Sequence, residues 1–93
     1  MNNTIYLIQT SFASTASALN KVQQVFVEGD QIVIMGEALS ALTSENMRSF
    51  QSYYCLNNER TLLNPDLSSA IIPLDYSAFA DLVLQYKRSV SFK

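Results

Sequence analysis

Cys55 is the single thiol of the chain, and no histidine is present to activate it. A Ser–His or Cys–His dyad therefore has no base to take the nucleophile's proton. With no histidine and one cysteine, a metal would have to be held by carboxylates. Asp30, Asp66, Asp75, Asp81, Glu28, Glu37, Glu45 and Glu59 show no clustered ligand spacing, so no metal site is expected. Gly29 and Gly36 are the only glycines, and they form neither a Walker sequence nor a G-x-G-x-x-G turn. Self-contained hydrolytic, metal or nucleotide chemistry is not expected, and the residues ask for no cofactor. Asp75-Tyr76 reads as a helix cap followed by an aromatic packing residue, because an acid before an apolar helical run supplies what the first amides need.

Cys55 admits two readings. A lone cysteine in a strand is most often a small buried hydrophobe. It also falls near the C-terminal end of an expected third strand, just before a short helix beginning around Asn58. Reactive groups of open α/β sheets gather outside such strand ends, and a helix N-terminus stabilises a thiolate. On that second reading Cys55 is a reactive thiol.

The elements that would position it follow from apolar patterning. Strands are expected at Thr4 to Ile8, Gln31 to Met35, Ser52 to Leu56 and Ala70 to Leu74, and a short one is marked by the alternation of Val90 and Phe92. Ser11 to Ser14 offer hydroxyl caps for a helix whose stripe is Phe12, Ala16, Leu19, Val22 and Phe26, with Gly29 ending it. Gly36 turns the chain into a helical stretch through Leu39 and Leu42, and Ser44 caps a further turn reaching Met47. Asn58 caps a short helix through Leu62 that stops at Asn64-Pro65. Pro73 has no amide to donate, so its strand belongs at an edge or ends there. Asp75 or Ser77 caps a last helix with the face Phe79, Leu82, Val83 and Tyr86. Adjacent in a strand, Tyr53 and Tyr54 should face opposite sides of the sheet. The alternation predicts one three-layer α/β domain over 1–93, with a mostly parallel sheet of about five strands.

Composition narrows the setting. Hydrophobic residues make up 48% of the 93, charged ones 15%, and the net charge is −2. A soluble domain carries about 25% charged residues, so this chain is expected to hide part of its surface against another protein. The basic residues Lys21, Arg48, Arg60, Lys87, Arg88 and Lys93 form no basic face, and direct nucleic-acid contact is not expected. Lys87, Arg88 and Lys93 are expected to favour the negative end of the last helix and to solvate the terminus. No apolar run approaches the ~20 residues of a membrane span, no secretion signal opens the sequence, and one cysteine fits a reducing compartment. A cytoplasmic protein is expected.

Three stretches carry a family likeness. Gly29-Asp30-Gln31-Ile32-Val33-Ile34-Met35-Gly36-Glu37-Ala38 resembles the second strand and following turn of the TusB/DsrH family. Tyr54-Cys55-Leu56-Asn57 resembles its third-strand exit, and Ile71-Ile72-Pro73-Leu74-Asp75-Tyr76-Ser77-Ala78-Phe79-Ala80-Asp81-Leu82 is similar to its closing signature. Tyr6-Leu7 and Thr10-Ser11-Phe12 stand where that family usually has Leu-His-Thr and Ser-Pro-aromatic. The resemblance implies a DsrEFH-like fold and a non-catalytic subunit of a TusBCD-type sulfur relay. Its partners would be TusC-like and TusD-like subunits in a heterohexamer, handing persulfide sulfur to a TusE-like acceptor for 2-thiolation of the tRNA wobble uridine. The alternatives are a persulfide carrier working through Cys55, a DsrH-type subunit of dissimilatory sulfur oxidation, or a homo-oligomeric binding protein outside sulfur metabolism.

Overall fold

The run Ile32-Val33-Ile34 puts β-branched side chains on both faces of one strand, which holds only when it is covered above and below. In the computed structural model, which describes residues 3–48, 50 and 53–93, this segment belongs to the middle strand β2 (Gln31–Ile34). Ile32, Val33 and Ile34 have no solvent exposure. With β1 (Thr4–Ile8), β3 (Tyr53–Leu56), β4 (Ile71–Leu74) and β5 (Arg88–Phe92) it forms a five-stranded sheet in the order β4-β3-β2-β1-β5. Every pairing is parallel; Ile8 stands opposite both Ile34 and Phe92, and Cys55 opposite Pro73. Pro73 thus lies on an edge strand, where a missing amide costs the sheet nothing. Of the expected third strand, Ser52 lies outside the described residues.

Helices cover both faces and make a three-layer α/β domain. Its radius of gyration of 12.1 Å is that of one packed unit, for which about 12 Å is usual at this length. One face packs Tyr6, Ile8, Ile32, Ile34, Tyr53, Cys55 and Ile71 under α1 (Thr15–Val25), a 3-10 helix at Gly36–Ala41 and the single turn α2 (Ser44–Met47). Tyr6, Phe26, Phe50 and Tyr53 run through this layer with successive ring centroids 6.2, 5.0 and 5.6 Å apart. On the opposite face Ile5, Val33 and Leu56 are buried, while α3 (Tyr76–Leu84) packs against β4 with Phe79, Leu82 and Val83 half-buried.

Several local expectations shift. The stripe expected on the first helix breaks because Phe12–Ser14 form a 3-10 turn before α1 begins at Thr15. A 3-10 turn has about 3.0 residues per turn against 3.6, so a face counted across the junction slips. Thr15, Ala18, Leu19 and Val22 point inward, whereas Phe12 is 59% exposed and Ala16 is exposed. The helix ends at Val25 rather than beside Gly29. Gly29 instead shapes the next turn at φ 95°, where a Cβ would lie 2.6 Å from Asn3 Nδ2. That turn closes on buried Asp30, whose carboxylate accepts the Thr4 amide at 2.8 Å and the Val27 amide at 3.1 Å. The cap of α2 is Thr43, one residue before Ser44: Thr43 Oγ1 accepts the Asn46 amide and Asn46 Oδ1 accepts the Thr43 amide. Among the described residues, no helix is long and apolar enough to cross a membrane.

Candidate functional site

Tyr53 and Cys55 are two apart in β3 and share a face, as the alternation of a strand requires. Tyr53 is buried, and its hydroxyl donates to the Asn46 carbonyl at 2.8 Å. Burial pushes its phenol far above the ordinary range. Tyr54 is half-buried and points the other way, so the pair splits across the sheet as expected.

Cys55 has no solvent exposure. Burial raises its thiol above the usual value, Arg60 pulls it back, and Glu59 adds to the rise. The net direction is upward, because the loss of water around a thiolate outweighs the pull of Arg60. The segment after β3 is not the long α-helix whose summed dipole would favour a thiolate. It is a 3-10 helix, Asn57–Leu62, whose cap position is Leu56, with no side-chain cap bond. Asn58 is inside that helix, and its Nδ2 donates to the Tyr76 hydroxyl at 3.0 Å. Burial thus disfavours the thiolate of Cys55 within this layer.

A cavity of about 580 Å³ nonetheless opens beside it. Cys55, Ile71 and Pro73 contribute from the strands, and Leu63 and Pro65 from the connection between β3 and β4. Arg60, Thr61 and Ser68 supply the polar part of the lining. The connection holds its shape through a second 3-10 helix, Pro65–Ala70, capped by Asn64, whose Oδ1 accepts the Asp66 amide at 3.0 Å. Ser68 Oγ donates to the Pro65 carbonyl at 2.9 Å. No element was expected at 66–69, and of the lining residues Cys55 alone was expected at a reactive position. Asn64-Pro65-Asp66 was the available signal, since a side-chain cap followed by proline at the first helical position starts a helical turn.

The remaining candidates have structural partners. Asp75 caps α3, its Oδ1 accepting the Ala78 amide at 2.7 Å. Tyr76 is not a packing residue, since it is 65% exposed and tied only through its hydroxyl to Asn58. No basic residue falls in the last turn of α3: Arg88 lies in β5, and Lys87 and Lys93 are exposed beyond the helix. Glu59 Oε1 accepts the Gly36 amide at 3.0 Å, joining the exits of β2 and β3. Among the described residues, no three His, Cys, Asp or Glu side chains gather as metal ligands. A second groove, of about 640 Å³, lies between α1 and the segment of Thr43 to Asn46, with Phe12, Ala16 and Gln23 on its wall. No family model matches the chain, and no curated protein or solved structure is significantly similar to it.

Proposed function

We propose that this chain is a non-catalytic subunit of a TusBCD-type sulfur relay. It would dock on TusC-like and TusD-like subunits so that persulfide sulfur passes to a TusE-like acceptor and on toward 2-thiolation of the tRNA wobble uridine. The observation that carries the non-catalytic part is the state of Cys55. The one thiol of the chain has no solvent exposure in the isolated chain and burial disfavours its thiolate, so the exchanging sulfur would be carried by a neighbour. The five-stranded parallel α/β domain agrees with the fold the motif resemblance implies. Phe12, Val25, Val27, Ile72, Tyr76 and Leu84 are large apolar or aromatic side chains exposed in the isolated chain, and a partner would cover some of them.

Co-expression with TusC-like and TusD-like proteins, followed by sizing, tests the reading. One co-eluting species is expected, and elution apart from both partners would sink it. Cys55→Ser should leave thiolated tRNA unchanged in that complex. A loss of thiolation would instead establish Cys55 as a carrier, a reading favoured by its position in the wall of a cavity near Arg60. A homo-oligomer that ignores both partners would point outside sulfur metabolism. Loss of sulfur oxidation with tRNA thiolation intact would mark a DsrH-type role.

A further inference from the structure

The cavity beside Cys55 combines an apolar lining with a single charge. Sites for small molecules span about 300–1,000 Å³ and pair apolar walls with a few polar groups that fix orientation. At about 580 Å³ this cavity falls within that range, and Arg60 is its one charged lining residue among those described. Arg60 is exposed, so it can meet a ligand without first leaving water. The neighbouring acid, Glu59, is occupied by the Gly36 amide and is not part of the lining. A guanidinium presents a planar fork of donors that fits a carboxylate, and Thr61 lies in the same wall.

We propose that this cavity binds a small monocarboxylate with an apolar body, its carboxylate on Arg60 and its body against Leu63, Ile71 and Pro73. Binding is reversible and involves no covalent step. The site goes beyond the relay reading and does not depend on it.

Phenylbutanoate, phenylbutanol and phenylbutylamine share one apolar body and differ in charge. Each is titrated into the full chain and followed by amide and methyl NMR shifts. The anion should saturate with shifts centred on Cys55, Leu63 and Ile71, and bind about threefold tighter than the alcohol, as a solvent-exposed ion pair allows. The amine should bind more weakly still. Arg60→Ala should remove that preference, the anion then binding no tighter than the alcohol, while amide shifts away from the cavity that match the parent chain report an intact fold. Ser68→Trp, filling the cavity, should abolish both. Equal affinity for the three probes, shifts centred on Phe12 and Gln23, or no saturable shift would each overturn the proposal. The mixing experiment above is unaffected by any of these outcomes, so the two readings can fail separately.

Discussion

The two faces of the sheet present similar apolar side chains but differ in what lies over them. On one, Ile8, Ile32, Ile34 and Tyr53 are closed beneath α1, Gly36–Ala41 and α2, with Val22 and Leu39 wholly inaccessible. On the other, Ile5 and Val33 are equally inaccessible, yet α3 contributes no buried residue; Ile72 is 46% exposed and Leu84 82%. The central strands are covered on both sides, but on the second side the edge strand β4 keeps Ile72 partly open. The helix on the second side is left with apolar surface of its own. Stability should therefore reside mainly in the first layer, while apolar surface open to a partner lies on both, at Phe12 and Val25 around α1 and at Ile72 and Leu84 around α3.

The largest test of that contrast is a pair of truncations. Leu39→Ala should lower unfolding free energy by about 2–5 kcal/mol, because it opens a cavity in a closed layer. Leu82→Ala in α3, half-buried at the outset, should lose less than about 2 kcal/mol. Equal losses in denaturant titrations would erase the distinction between the faces. Next in size is Tyr53→Phe, which removes the hydroxyl bond to Asn46 and should cost about 1 kcal/mol. It also has a pH signature. The folded phenol is raised, so its contribution is fully present below the ordinary phenol value near 10 and is lost as pH rises through the folded value. The denaturation midpoint of the parent chain should fall at alkaline pH more steeply than that of Tyr53→Phe. Identical slopes would mean that Tyr53 ionises as readily folded as unfolded. The smallest effect on stability belongs to Leu84→Ser, within about 0.5 kcal/mol for so exposed a side chain. If the second face is where partners dock, the same change should weaken assembly in the mixing experiment.

The strands could be read from sequence because their signals are strong and local. Ile32-Val33-Ile34 fits only a doubly covered strand, Pro73 marked an edge, and Asp75 capped α3 as its position required. The connections were harder. Gly36–Ala41, Asn57–Leu62 and Pro65–Ala70 are all 3-10 helices, a form too short to leave a hydrophobic period. Phe12 shows the same limit, since one 3-10 turn ahead of α1 moved it off the expected helix stripe and into solvent. The cavity inherits this difficulty. Arg60, Leu63 and Ser68 come together only through the path of two such turns, and no residue spacing announces that path. The state of Cys55 was illegible for a related reason, because its thiol answers to burial and to nearby charges that depend on that packing.

The pairing of β5 with β1 has a consequence for biosynthesis. Thr4 ends up opposite Arg88, and the Gln9 amide reaches the Phe92 carbonyl at 2.8 Å. During translation, the early segment emerges long before its neighbour on that flank. Until residue 92 leaves the ribosome, one row of main-chain donors and acceptors on residues 4–9 stays available to any extended peptide nearby. The newborn polypeptide therefore passes through an interval of heightened stickiness, ended only by its late-made strand.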